Sequence, residues 1–168
     1  MIKGGGKRKG ASFERVVAVS LSKWCSKGER EDCFWRSAMS GGRATVSRKK
    51  GTNLAAQSGD LSAIHPMGQK FLDKFYVEIK SYQDLQYHGL ITGTGRLVNF
   101  WNITVAEALS YNKIPLLIAK QNRIPAAVFM HVKGYEVLDI QYECAIIVPP
   151  LDAYGILFDN FLKLAKPI

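Results

Sequence analysis

Two stretches of the chain hold side chains that could do chemistry together: Tyr76-Val77-Glu78-Ile79-Lys80-Ser81, and Gly59-Asp60-Leu61 some way before it. Phe75 to Tyr82 reads as a strand. Side chains alternate faces along a strand, so Glu78 and Lys80 share one face while Val77 and Ile79 share the apolar other. Opposite charges near the middle of an apolar strand are costly unless something compensates them. Asp60 adds a third charged group on an otherwise apolar segment. Paired carboxylates suit Mg²⁺, which takes hard oxygen ligands, keeps several waters and is often held by one or two carboxylates plus a substrate phosphate. An ion so held polarises a phosphoryl oxygen and acidifies a water. Lys80 could position that water or offset charge in the transition state. The same three residues could equally form a partly buried Asp/Glu–Lys ion cluster without catalysis, and residue types alone leave both readings open.

The elements that must position these groups can be read from periodicity. Ser12 reads as an N-cap, followed by a helix from Phe13 to Trp24 with Phe13, Val16, Val17, Leu21 and Trp24 at helical spacing. Glu14 then falls in the first turn, where the helix dipole favours a carboxylate; it borders the buried stripe and could also reach inward. Cys33 to Arg36 reads as a short strand. Gln57 to Ile64 reads as another, entered through Gly59, and Pro66 and Gly68 mark a turn after it. This strand and Phe75–Tyr82 are therefore expected to pair antiparallel, with Asp60 near Glu78. Gln83 to Leu97 is loop-like, and Tyr82, Gln83, Gln86 and Tyr87 stand where they could border a site. A helix is predicted over Asn99–Asn112. Leu116–Ala119 and Ala126–Met130 read as buried strands split by a turn at Gln121 to Pro125. Val137 to Val148 is expected to add one or two strands, and Leu151 to Leu164 a closing helix.

With 168 residues and 47% hydrophobic composition, the chain can bury one proper core. No apolar run approaches the roughly 20 residues of a membrane span, so no membrane partner is expected. Met1 to Gly10 lacks the apolar stretch of a secretory signal. Cys25, Cys33 and Cys144 show no paired spacing and read as free thiols of a reducing, cytoplasmic compartment. The net charge of +9 is concentrated: residues 1–50 hold 13 Lys/Arg against 4 Asp/Glu, and residues 51–168 hold 10 of each. That polarity points to a polyanion, nucleic acid before membrane; a solubilising tail is the plainer alternative. The candidate contacts are Lys7, Arg8 and Lys9 in a flexible basic arm over residues 1–10, and Arg43, Arg48, Lys49 and Lys50 in a glycine-bounded loop from Ser40 to Gly51. Residues 11–168 read as a single domain. Trp24, Trp35 and Trp101 read as core, and His65 as a turn residue.

Gly59-Asp60 followed by Glu78-Ile79-Lys80 resembles the PD-(D/E)xK nuclease signature, with Gly59 in place of the proline. Lys9-Gly10-Ala11-Ser12-Phe13-Glu14-Arg15 is similar to the N-terminal helix of the branch that includes archaeal Holliday-junction resolvases and related phage nucleases. The resemblance covers about residues 9–132. It implies an α/β fold: a restriction-endonuclease-like αβββαβ core, a mixed central sheet flanked by helices, and here a C-terminal extension. It implies a Mg²⁺- or Mn²⁺-dependent endonuclease acting on DNA, working as a homodimer, in the host cytoplasm if phage-encoded. Carried over residue by residue, Asp60, Glu78 and the main-chain carbonyl of Ile79 would bind the metal, Lys80 would assist the attacking water, and Glu14 would complete the acidic set directly or through water. The segment between the first helix and Asp60 is longer than in the compact archaeal resolvases, and Gly134 to Ile168 has no counterpart. A junction, another DNA or an RNA substrate all stay open, as does a catalytically silent nucleic-acid-binding protein on the same fold.

Overall fold

The structure is a computed structural model that describes residues 5–37, 59–141 and 145–168. Helix α1 (Gly5–Cys25) buries Val17, Ala18, Leu21, Trp24 and Cys25, the stripe of an amphipathic helix. It starts earlier than periodicity predicts. It takes in residues 5–10 of the segment read as an arm, Ser12 lies inside it rather than at its cap, and Glu14 falls in its third turn. Lysine, arginine and alanine are good helix formers, and extending a helix gains one hydrogen bond for each residue fixed. The buried Ser22 hydroxyl donates to the Ala18 carbonyl (2.7 Å) and accepts from the Phe34 N–H (3.0 Å). It thereby ties strand β1 (Phe34–Arg36) to the helix.

β1 pairs antiparallel with β2 (Leu61–Ala63) in a small two-stranded sheet. The main sheet has the order β3–β4–β5–β7–β6, with β3 at Phe75–Tyr82, β4 at Ile114–Gln121, β5 at Ala127–Met130, β6 at Ile146–Val148 and β7 at Ala153–Leu157. β3 and β4 are parallel and the other neighbours antiparallel. The expected antiparallel pairing of the Asp60 strand with β3 is not what forms. Helix α2 (Pro66–Lys74) occupies the segment read as a turn. Pro66 takes the first helical position, where its missing N–H costs nothing, and the His65 side chain caps the Met67 N–H. A helix between two strands lets the second run in the same direction as the first, so Gly59 meets Val77 in a parallel bridge.

Between β3 and β4 lie a short helix α3 (Gly89–Thr92), inside the segment read as loop, and the crossover helix α4 (Arg96–Ser110). α4 packs Leu97, Val98 and Trp101 on Leu117, Ala119 and Phe129. The opposite face of the sheet, with Val77, Ile79, Leu116, Ile118 and Val128, packs against α1 and α2. β4 is buried from Ile114 to Ala119, which is why its sequence is a continuous apolar run rather than an alternating one. The order α1, β1, β2, β3, α4, β4 is the αβββαβ succession of a restriction-endonuclease-like core, with α2 inserted, and the molecule is a mixed α/β fold with helices on both sheet faces.

The C-terminal third departs from its reading. Val132–Val137 is helix α5, and β6 is its only strand among the described residues up to Val148. Ala153–Leu157 is a strand inserted between β5 and β6, and the closing helix α6 spans only Phe158–Leu164. Ile156, Leu157 and Phe161 suit a helical stripe as well as a strand followed by a helix, and the free edge of β5 decides between them. Trp24 and Trp101 are core, with Trp24 Nε1 donating to the Ala165 carbonyl at 2.9 Å, whereas Trp35 is 63% exposed on β1. The basic loop bearing Arg43, Arg48, Lys49 and Lys50, and Cys144, lie outside the described residues.

Because β7 is an interior strand, truncating the chain after Val148 should abolish cooperative thermal unfolding and leave aggregation-prone protein, as followed by circular dichroism. A peripheral helix would come off with a small loss.

Candidate active site

Asp60 sits where the small sheet meets the large one. Its N–H donates to the Val77 carbonyl (2.9 Å), its carbonyl accepts from the Ser37 N–H (2.8 Å), and its carboxylate Oδ2 accepts from the Ile79 N–H (2.8 Å). Backbone and side chain together thus span the outer edge of β3. Gly59 makes this approach possible. It has φ of +93°, and a Cβ there would lie 2.3 Å from the Val77 carbonyl oxygen. Proline, locked near −65°, cannot adopt that backbone. Within a strand the N–H and C=O of one residue point to the same side, so the Ile79 carbonyl opens onto the edge where the Asp60 carboxylate stands.

Glu78 and Lys80 lie on the α4 side of β3, in register with Leu117 and Ala119. The Lys80 ammonium hydrogen-bonds the Glu78 carboxylate, lies 4.0 Å from Asp60 Oδ2 and stands 5.6 Å from the centre of the Phe100 ring. Glu14, carried by α1, is paired with Arg36 of β1. The structure therefore brings Asp60, Glu78 and Lys80 together, with Glu14 close enough to act on Asp60 electrostatically but engaged by a cation of its own. Lys7, Arg8 and Lys9 fall in the first turns of α1.

Arg36 is the residue that sequence reading missed, and the signal was available. Phe34 and Arg36 share a face by the two-residue period of a strand, and Phe34 is buried, so Arg36 had to point inward toward a partner. Tyr76 shares the face of Glu78. Burial, and then the Glu78 carboxylate, push its phenol far above the ordinary range.

The electrostatics are strained in one direction. Asp60 is 5% exposed, and its carboxyl is pushed up to about 7, first by burial and next by the Glu78 carboxylate, with Glu14 adding to it; Lys80 and the Ile79 N–H pull the other way. Burial lowers the Lys80 ammonium, but Glu78 and Asp60 outweigh it, so that its pKa rises and the lysine stays charged. The site thus carries more negative charge than its cations neutralise. Among the described residues no group of three or more His, Cys, Asp or Glu side chains stands at metal-holding distance. Two carboxylates and a main-chain carbonyl at a strand edge nevertheless form the oxygen-only partial set that suits Mg²⁺, which retains waters for its remaining positions. Excess negative charge is what a divalent cation relieves.

Over residues 5–148 the chain matches the model of a family described as Phage putative PDDEXK endonuclease. The chain belongs to that family. No curated protein and no solved structure matches it. As a PDDEXK endonuclease of phage type it is a nuclease, a hydrolase. In this PDDEXK endonuclease Gly59 stands where the family's name has proline, for the backbone reason given above. No helix among the described residues is long and apolar enough to cross a membrane.

Asp60 binds a proton in the folded protein at a pH where the unfolded chain, with a carboxyl near 3.9, has lost it. Stability of the metal-free protein therefore falls as pH rises from about 4 to about 7, and the full penalty persists above. Asp60→Asn keeps an acceptor for the Ile79 N–H and removes the charge. In chelator it should raise the thermal midpoint by several degrees at pH 8, for a gain of at most about 4 kcal/mol. The gain should vanish near pH 4, as differential scanning fluorimetry across pH would record.

Proposed function

We propose that the protein is a Mg²⁺- or Mn²⁺-dependent endonuclease that hydrolyses DNA phosphodiester bonds, with a branched, Holliday-junction-like substrate, acting as a homodimer in the host cytoplasm. The observation that carries this reading is the convergence of Lys80 with two carboxylates that arrive from different sheets, in a site left with excess negative charge. Asp60, Glu78 and the Ile79 carbonyl would hold the ion, and Glu14 would complete the set once Arg36 releases it or through a water. When bound, the ion supplies positive charge against the phosphoryl oxygens and acidity for the attacking water. The chain's own groups do the rest. The Ile79 N–H fixes the Asp60 carboxylate. Glu78 fixes the Lys80 ammonium. Lys80, three-quarters shielded from solvent, orients the water and offsets charge as the phosphodiester passes through its transition state. Lys7, Arg8 and Lys9, with Arg43, Arg48, Lys49 and Lys50, contact the DNA backbone, and residues 11–168 form one nuclease domain.

A second reading has a specific observation behind it. The Lys80–Glu78 and Arg36–Glu14 pairs neutralise two of the three acids internally, as a silent DNA-binding module would favour. A Mg²⁺ cleavage assay on four-way, flapped, linear and single-stranded DNA separates the two, joined to a Mn²⁺ titration by calorimetry. Asp60→Ala, Glu78→Ala and Lys80→Ala should each lower cleavage at least about a thousandfold while largely sparing DNA binding, and the first two should weaken Mn²⁺ binding. Normal cleavage by Asp60→Ala would sink the site assignment.

The basic first third should also make affinity for DNA salt-dependent, with a loss on the order of 10³-fold between 50 and 200 mM salt if about six phosphates are neutralised. Affinity that stays flat over that range would argue against Lys7, Arg8 and Lys9 and the basic loop as DNA contacts.

A further inference from the structure

Beyond the carboxylates and the lysine, the face of β3 that carries Glu78 and Lys80 ends on Tyr82. That side chain is 41% exposed and has no part in the metal site or in the core. It is one rung of a ladder of four side chains. The Arg96 guanidinium lies 5.4 Å from the centre of the Tyr82 ring, Tyr82 lies 5.0 Å from Phe100 at 40°, and Phe100 lies 5.6 Å from the Lys80 ammonium. One end of this ladder is thus the lysine of the reaction centre, and the other is an exposed arginine–tyrosine stack. Arg96 is held in place at the start of α4, its Nη1 donating to the Asp84 carbonyl and its N–H to Gln86 Oε1 (2.8 Å).

The geometry points to a base-stacking subsite: we propose that Tyr82 and Arg96 receive one unpaired base of the substrate, next to the phosphate presented to Lys80. Three features select this occupant. A ring and a guanidinium plane are both surfaces on which bases stack, and stacking is indifferent to sequence. The Arg96 guanidinium is bound to a main-chain carbonyl rather than to a carboxylate, so its charge suits a polyanion and disfavours a neutral apolar protein face. Finally, Tyr82 lies two residues beyond Lys80 on the same face, about 6.6 Å along the strand, so a base seated there and a phosphate at Lys80 belong to neighbouring positions of one strand. A base inside a duplex cannot reach such a surface without leaving its stack. The subsite therefore selects for nucleotides already unpaired, in a flap or a single strand, over a fully paired four-way junction. The inference rests on the nuclease reading above and narrows its substrate class.

The test uses the full chain carrying Asp60→Asn, which keeps the fold and removes cleavage. The probes are a flap, a single strand and, as fully paired controls, a four-way junction and a matched linear duplex, each with 2-aminopurine at the nucleotide beside the expected cut. Stacking should quench the fluorophore in the flap and the single strand but not in the paired controls. Tyr82→Ala and Tyr82→Leu should abolish the quench and weaken binding of the flap and the single strand by about 5- to 150-fold, the range that one stacked base is worth, with duplex affinity unchanged. Tyr82→Phe should restore both. Tyr82→Leu retains an apolar contact with Phe100, so it separates loss of stacking from loss of packing, and circular dichroism checks the fold of each variant. Equal quenching or equal affinity for the flap and the single strand in Tyr82→Leu overturns the proposal. So does a shift from dimer to monomer in sedimentation without a change in quenching, which would assign this surface to a second copy of the chain. If Asp60→Ala cleaves normally but the quench depends on Tyr82, the nuclease site is wrong and the stacking subsite stands. If Asp60→Ala is dead and the quench is independent of Tyr82, the reverse holds.

Discussion

The structure depends on how Asp60 is seated at the edge of β3. One residue bonds both sheets through its backbone, to Val77 and to Ser37, and then turns its carboxylate back onto the Ile79 N–H. The edge of a sheet is a row of unpaired donors and acceptors that must be satisfied. Here a side chain takes the place of a neighbouring strand for one hydrogen bond, and so a carboxylate is held beside a main-chain carbonyl. Position and chemistry come from the same contact. Gly59 is the condition for it, because only a residue without Cβ can bring the backbone this close at positive φ.

That seating has an electrostatic cost. A nearly buried carboxylate facing a second one is held in a form that it would not choose in water, and Lys80 offsets only part of the difference. Local conflicts of this kind mark functional sites in otherwise consistent folds. The rest of the molecule supplies the stability that permits it. The apolar run of β4 is buried on both faces, Trp24 closes the C-terminus onto α1, and Ser22 locks β1 in place. Arg36 extends the same compensation to Glu14, while Asp60 and Glu78 share Lys80.

The pairings of β4 and β5 were legible because their sequence is apolar and bounded by turn residues. The α2 helix was not. Pro66 and Gly68 mark turns in most contexts, and here proline occupies the first helical position while Gly68 is buried against Cys33, whose carbonyl a Cβ would meet at 2.5 Å. The nine residues of α2 then decide strand direction. An error over one short helix thus became an error in pairing, although it left Asp60 beside the correct strand. The same limit applied at Ala153–Leu157, where helical and extended periods both fit and the open edge of β5 chose. Glu14 borders the stripe of α1 and reaches inward to Arg36; its site role comes from the resemblance, and the dipole argument for it fails because the helix begins at Gly5.

The sequence by itself determined which charged groups must meet. Charged residues on a strand that otherwise wants to be core cannot be reconciled with burial unless they meet partners, so Asp60, Glu78 and Lys80 had to be accounted for together. Its motifs and element order, through their resemblance to PD-(D/E)xK nucleases, also implied the mixed α/β class of fold that the structure has. Only the tertiary structure decided how the acids meet: a parallel bridge rather than a hairpin, Arg36 as the partner of Glu14, and the ladder from Lys80 to Arg96. The reason is the range of the interactions. Periodicity and propensity report on neighbours a few residues apart, whereas these contacts join residues 19 and 22 positions apart across elements whose order in space depends on the packing of the whole.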